Sequence, residues 1–183
     1  MRTNGAFGPG RAVAAAALLA AFGHPPPPGS PNWSAEGDQT FAHFGGAVSA
    51  LGDVNHDGFD DLVVGVRGYD NEQSYEGRAL AYFGGAGGLS TSPSWAYESN
   101  QETATLGEAV LIANLNGDDY ADVVVGASQH DAGMNNNGRV WVFHGGPSGP
   151  SLTPSWIADG EQSGGRFGLE LASGDVNGDG IDD

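Results

Sequence analysis

Asp53-Val-Asn-His-Asp-Gly-Phe-Asp-Asp61 returns as Asn114-Leu-Asn-Gly-Asp-Asp-Tyr-Ala-Asp122 and again as Asp175-Val-Asn-Gly-Asp-Gly-Ile-Asp-Asp183, sixty-one residues apart each time. An acidic loop with oxygen donors at alternate positions, repeated at such a period, points to a metal-binding repeat protein. Features unrelated to metal share the period: Gly77-Arg78 recurs as Gly138-Arg139, Pro93 as Pro154 and Trp95 as Trp156. The repeating unit is therefore a whole structural module, of which the loop is one part.

Alignment on the tryptophans gives Trp33 to Phe44, Trp95 to Leu106 and Trp156 to Phe167, eleven residues in each case, and the first copy then carries one extra residue between Phe44 and Asp53. Within a unit, Ala47 to Leu51 reads as a short apolar strand, the acidic loop follows, and Leu62-Val-Val-Gly-Val66 reads as a buried strand. After a variable polar loop, Gly77 to Phe83 reads as a third strand, Gly84 to Ser92 as a Gly/Ser turn region and Ser94 to Tyr97 as a short outer strand. No stretch holds a helical period over a useful length.

Four short strands in about sixty residues, punctuated by glycine, fit one blade of a β-propeller, an all-β architecture whose blades pack face to face around a channel. The expected organisation is an outer, closing strand at 31–36, a first blade at 37–98, a second at 99–159 and the start of a third at 160–183. A propeller closes by lending a terminal strand to its last blade, and the Trp33 strand stands where the lender belongs. Two blades and part of a third are too few for a ring, so a longer parent protein is expected. The isolated chain is expected to associate through open strand edges and half-covered faces.

The segment before Trp33 is of another kind. Arg2 and Arg11 flank an apolar run, Ala12 to Phe22, too short to span a bilayer, and small residues at Ala21-Phe22-Gly23 suit a signal peptidase. Residues 1–23 read as an export signal, with an Ala-rich helix as the alternative, and residues 24–30, with Pro25 to Pro28, as a stiff linker. The formal net charge of −17 becomes −19 without Arg2 and Arg11 (−17 − 2), and all six basic residues are arginines. Such a surface repels nucleic acid and anionic lipid, and no membrane insertion is expected after signal cleavage. Eleven of the 23 carboxylates fall in the three loops, a repulsion that a cation would offset. Cysteine is absent, which removes disulfides and thiolate metal sites and leaves bound calcium as the natural staple of an exported domain.

Phe44-Gly45 followed by Asp53-x-Asn-x-Asp-Gly-x-x-Asp61-Leu-Val-Val-Gly65 resembles the FG-GAP repeat of the integrin alpha-chain propeller and its bacterial relatives, over about Pro31 to Asp183. The second copy departs from the motif with Leu106, Asn114 and Asp119, and Gly65-Val66-Arg67 and Gly126-Ala127-Ser128 replace its Gly-Ala-Pro end. The resemblance implies a seven-bladed parent, a secreted or cell-surface location and an adhesive role toward an extracellular protein or glycan. Phospholipases acting on glycosylphosphatidylinositol anchors also carry such repeats, so an accessory domain of a secreted hydrolase or lyase is the alternative.

Calcium takes six to eight oxygens at flexible geometry, which alternate carboxylates and amides on a tight loop supply. The first site would use Asp53, Asn55, Asp57, the Phe59 carbonyl and Asp61. The second would use Asn114, Asn116, Asp118, the Tyr120 carbonyl and Asp122, and the third Asp175, Asn177, Asp179, the Ile181 carbonyl and Asp183. Gly58 permits the sharp turn. An EF-hand would need a bidentate Glu at position twelve, where Val64 and Val125 stand in strands. Magnesium demands a rigid octahedron, and transition metals lack placed His or Cys. The metal is read as structural and not catalytic, and plain Asp/Asn turns are the bland alternative.

His56 reads as a spacer, because its counterparts are Gly117 and Gly178. The periodic tryptophans read as inter-blade packing, with a carbohydrate platform as the weaker reading. Trp141 is aligned with Ala81. Asn32-Trp33-Ser34 is an N-glycosylation sequon, relevant only in a eukaryotic secretory route. No histidine recurs with Ser and Asp as a hydrolytic triad, so no enzyme is expected. The loops Tyr69 to Glu76 and His130 to Asn137 differ between copies and read as contact regions without shared structural duty.

Overall fold

The computed structural model describes residues 33–183. The expected signal, linker, Asn32 and first two residues of the closing strand lie outside them. Eight strands form two sheets: β1 (Phe44–Gly52), β2 (Asp61–Val66), β3 (Arg78–Tyr82) and β4 (Trp95–Glu98) in one, and β5 (Ala109–Ala113), β6 (Asp122–Ala127), β7 (Arg139–Phe143) and β8 (Trp156–Asp159) in the other. Each sheet is an antiparallel meander in sequence order. These are two propeller blades, and no described residue is helical.

Side chains alternate across each strand, and the two blade faces are built differently. Val63, Ala79 and Ala81 of the first blade face Val123, Val125, Trp141 and Phe143 of the second in one core. The small side chains of one blade thus receive the large ones of the next. The opposite face of the first blade carries Leu62, Val64, Leu80 and Tyr82, covered by Trp33, Ala35, Ala42 and Phe44. The opposite face of the second carries only Val124, Val140 and Val142, flanked by half-buried Leu111, Leu115 and Leu171.

The tryptophans bind the blades together. Trp95 of β4 meets Phe143 edge-on at 5.0 Å, and its Nε1–H donates to the Ser151 carbonyl at 3.1 Å. Trp33 meets Tyr82 at 5.1 Å and donates to the Ser90 carbonyl at 2.8 Å, the same pair of contacts one unit earlier. Residues 33–36, the described part of the expected outer strand, belong to no sheet in the structure. Trp33 nevertheless takes the place of an outer-strand tryptophan. The described register also corrects the position of Trp141, which opposes Val125 as Leu80 opposes Val64, one residue before the counterpart of Ala81.

Two local features follow from the sequence. The extra residue of the first copy is Leu51: Ala50 pairs with Leu62 and Gly52 with Asp61, so Leu51 is left over as a bulge, at φ 77° and exposed. The strand glycines Gly65 and Gly126 lie where a Cβ would collide with the carbonyls of Gly107 and Gly168, at the start of the next unit's inner strand. Only glycine permits this backbone approach between units.

Truncating Trp95 to alanine removes a buried ring and its hydrogen bond and should cost about 3–5 kcal/mol. Trp156 is 56% exposed, and its truncation should cost no more than about 0.5 kcal/mol. Urea denaturation of both variants checks the contrast.

Candidate functional site

Loops 1 and 2 connect β1 to β2 and β5 to β6 at one end of the blades, and loop 3 lies beside loop 2, the Asp182 N–H donating to the Asn114 carbonyl. In loop 1, Asp53 uses both carboxylate oxygens, Oδ1 accepting from the Asp57 N–H at 3.1 Å and Oδ2 from the Gly58 N–H at 2.7 Å. Asn55 Oδ1 accepts from the same Asp57 N–H at 3.1 Å. Side-chain oxygens from positions one and three therefore converge on one nitrogen. Asp57 Oδ1 in turn accepts from the Phe59 N–H at 3.0 Å.

Loop 3 repeats this pattern residue by residue. Asp175 Oδ1 and Asn177 Oδ1 accept from the Asp179 N–H at 3.1 and 2.8 Å, Asp175 Oδ2 from the Gly180 N–H at 2.8 Å, and Asp179 Oδ1 from the Ile181 N–H at 2.9 Å. These bonds hold the Asp175 carboxyl below the usual carboxylate range, with the Gly180 N–H the main cause. Gly58 and Gly180 make the turn at φ 90° and 89° with open space around a hypothetical Cβ.

Loop 2 keeps the outline and changes the first donor. Asn116 Oδ1 accepts from the Asp118 N–H at 2.9 Å, and Asp118 Oδ1 from the Tyr120 N–H at 2.8 Å. Asn114, however, accepts from the Gly117 N–H at 2.8 Å and turns its amide Nδ2 to donate to the Asp118 carbonyl at 2.7 Å. An amide offers one oxygen where Asp53 and Asp175 offer two. Asp119 replaces the left-handed glycine, so no bond equivalent to Gly58 N–H with Asp53 forms.

The last aspartate of each loop has a duty that the sequence reading missed. Asp61 is fully buried at the start of β2, its Oδ2 accepting from the Val54 N–H and its Oδ1 from the Gly84 N–H, both at 2.8 Å. Asp122 does the same for Leu115 and Gly145, both at 2.9 Å. Asp183 Oδ2 accepts from Val176 at 3.1 Å. Each aspartate thus locks the second residue of its loop, and Val54 is wholly buried in the inter-blade core. The same apolar position is half-buried at Leu115 and exposed at Val176, so the alternation of Asp53, Val54 and Asn55 does not by itself announce the burial of Val54. Burial pushes the Asp61 carboxyl up to about 6, with the charges of Asp53 and Asp57 adding to it and the two N–H groups opposing.

His56 is exposed, in the left-handed conformation of its glycine counterparts, and meets Tyr120 of loop 2 edge-on at 5.7 Å. Among the described residues no three His, Asp or Glu side chains are gathered as a metal cage. The donor set is instead one of mixed carboxylates and amides on a glycine turn. In loops 1 and 3 it is an all-oxygen, strongly anionic set that fits a hard cation. Loop 2 fits less well, since Asn114 directs an amide N–H₂ into the turn.

At the other end of the blades, the loops between β2 and β3 and between β6 and β7 share a frame, contrary to the expectation of no common structural duty. The Asp70 N–H donates to Gln39 Oε1 at 2.9 Å, and the Asp131 N–H donates to Gln101 Oε1 at 2.6 Å, and each glutamine returns a bond to the aspartate carbonyl. The frame extends to the tips, where the Tyr75 and Asn136 N–H groups donate to Asp70 Oδ1 and Asp131 Oδ1 at 2.5 and 2.6 Å, and the side chains at 71–74 and 132–135 differ. Within the first loop, Glu76 is fully buried and neither carboxylate oxygen has a hydrogen-bond partner. Its counterpart Asn137 is satisfied, accepting from Ala132 N–H and donating to the Gly160 carbonyl at 2.8 and 2.7 Å. Burial is the main cause raising the Glu76 carboxyl above its ordinary range, and Glu98, Asp70 and Glu72 add to it.

The sequence comparisons agree with this architecture. An FG-GAP repeat model matches residues 44–82 and 106–143, and these are the strands and loops that make the two blades. The chain therefore contains two FG-GAP repeats, one in each β-propeller blade. It is 35% identical over 147 residues to human phosphatidylinositol-glycan-specific phospholipase D, covering 74% of this chain and 17% of that protein. It is 34% identical over 134 residues to integrin alpha-PS2 of Drosophila melanogaster, covering 69% of this chain and 9% of that protein. Mouse integrin alpha-7 is 32% identical over 146 residues, covering 78% of this chain and 12% of its own length. The chain thus spans less than a fifth of these relatives.

Asp61→Ala leaves two backbone N–H groups without acceptors and should cost about 2–5 kcal/mol even in chelator. Asp57→Ala, in an exposed turn, should cost less than about 1 kcal/mol there; urea melts in EGTA compare them. Glu76→Gln should stabilise by about 1–3 kcal/mol at pH 7. A raised folded pKa means that the acid's contribution is intact below the ordinary value of 4.5 and is lost as pH rises through the folded value, so the gain should vanish near pH 4. Melts of both proteins across pH test the sign.

Proposed function

We propose that this chain is an exported, non-enzymatic propeller module, stapled by calcium at one end of its blades and presenting variable loops at the other to an extracellular protein or glycan. The observation that carries the reading is the division of labour between the ends. The acidic loops of units 1 and 3 share the bonds from their alternating donors to the turn N–H groups, as a shared structural site requires. The opposite loops share a hydrogen-bonded frame but carry different side chains at their tips, residues 71–74 and 132–135, as recognition surfaces do. Similarity to integrin alpha chains supports a secreted or cell-surface location and a binding role, within a longer ring of seven blades as that family implies.

In loops 1 and 3 the holding residues are the alternating donors described above, with Phe59 and Ile181 supplying carbonyls and Asp61 and Asp183 closing the sites. Loop 2 is the weaker site, through Asn114, Asn116, Asp118, Tyr120 and Asp122. Bound calcium supplies positive charge that offsets carboxylate repulsion. At Kd of ~10⁻⁴ M and ~1 mM calcium each site adds roughly 1.4 kcal/mol. The second reading, an accessory domain of a secreted hydrolase or lyase, is favoured by the 35% identity to a phospholipase D. A catalytic constellation elsewhere in the parent polypeptide would decide for it.

Calorimetric titration with calcium, using magnesium as the control, tests the staple. Selective binding should fall in stoichiometry in Asp57→Ala and again when Asp179→Ala is added. Equal heats for both ions, or no dependence on these carboxylates, would reduce the loops to plain turns.

A further inference from the structure

Neighbouring acidic loops are joined through their backbones. The Ala121 N–H donates to the Asp53 carbonyl, and the Asp182 N–H donates to the Asn114 carbonyl, both at 2.9 Å. In each pair the acceptor is the first donor position of one loop, and the N–H belongs to the residue between the last two donor positions of the next. The two junctions differ in one respect. The Asn114 N–H also donates to Asp182 Oδ2 at 3.0 Å, whereas Ala121 has no side chain to hold Asp53 in this way. One residue of loop 3 therefore grips both backbone groups of Asn114. Ile181 adds contact at the same junction, since a Cβ on Gly117 would meet its Cδ1 at 2.7 Å.

We propose that Asp182 is a positioning residue that couples loops 2 and 3, so that calcium held by either loop raises the affinity of the other. This rests on the calcium reading above. Asp182 is outside the donor set and acts on calcium only through Asn114 and through the Ile181 and Asp183 positions on either side of it. Closing loop 3 around a cation fixes the Asp182 backbone, and with it the backbone of Asn114, before loop 2 is filled. Loop 2 then loses less conformational freedom on binding, and linkage makes the effect equal in the reverse direction. The arrangement serves the loop that needs it most: loop 2 has three carboxylates where its neighbours have four, and its first donor is an amide.

The test is a calcium titration of the full chain read loop by loop, from the amide resonances of Gly58, Gly117 and Gly178, in wild type, Asp179→Ala, Asp182→Ala and Asp182→Asn. The Gly117 midpoint should rise about fivefold or more, the lower end of measured site-to-site couplings, in both alanine variants. The Gly58 midpoint should move by less than about twofold, because neither Asp179 nor Asp182 touches its junction. Asp182→Asn keeps an acceptor for the Asn114 N–H and should recover most of the affinity. Calcium-responsive loops with an unchanged Gly117 midpoint in both alanine variants would overturn the coupling and leave the calcium sites standing. A shift in Asp179→Ala alone would overturn the role of Asp182, and silence of all three amides in wild type would overturn the calcium reading and the coupling together.

Discussion

A blade of this protein is apolar on both faces, and a sheet of four short strands has no means of burying either by itself. Everything else in the structure answers that constraint. The face of the first blade that carries Val63, Ala79 and Ala81 is shallow, and it receives Trp141 and Phe143 from the second. Because each blade has one shallow face and one bulky face, stacking has a direction, and the same contact can be made again at every step. The tryptophan of the outer strand closes each step from the rim, while Gly65 and Gly126 let the backbones meet nearer the channel. The covering of the first blade by Trp33 and Phe44 obeys the same rule without a sheet behind it.

The acidic loop is tied to this packing more closely than a surface turn would be. Asp61 is at once the final residue of the loop and the first residue of β2, and its two oxygens hold Val54 and Gly84. Val54 in turn lies between the blades. A change of charge in the loop therefore reaches the core through one side chain, which gives bound cation a direct route to fold stability. It also explains why a carboxylate pushed toward neutrality by burial is retained: the same group is a strong acceptor for two backbone donors, and the neighbouring negative charges that oppose it are the ones a cation would compensate.

The blades were legible in the sequence because their signals are local and periodic. The strand Leu62 to Val66, the turn glycines and the tryptophan spacing each announce themselves within a few residues, and three copies in register remove ambiguity about the unit. The extra residue in the first copy was visible, though its identity as the Leu51 bulge was not, since that depends on which residue of β1 finds no partner on β2. What stayed hidden was set by distant partners. The clamp of Gln39 on Asp70 spans 31 residues and that of Gln101 on Asp131 spans 30, so two loops of dissimilar sequence conceal one frame. The rotation of Asn114 was foreshadowed by its departure from aspartate, but its direction follows from the absence of a left-handed glycine at Asp119.

The two ends of the blades show how one repeat serves two purposes under different tolerances. At the acidic end the geometry depends on nearly every side chain, so a single exchange such as Asn114 for aspartate redraws the bonds within the turn. At the other end Gln and Asp pairs hold the frame and bonds from the next unit reach the tips, and the second loop satisfies its buried polar position with Asn137 where the first leaves Glu76 unpaired. Both ends pass bonds to the next unit, from Ala121 to Asp53 and from Asp182 to Asn114 among the acidic loops, and from Thr103 to Ser74 and from Gly164 to Asn135 at the opposite end. What differs between the copies at the opposite end is the side chains of the tips, residues 71–74 and 132–135, on a frame that stays the same, and that freedom is what a recognition surface requires.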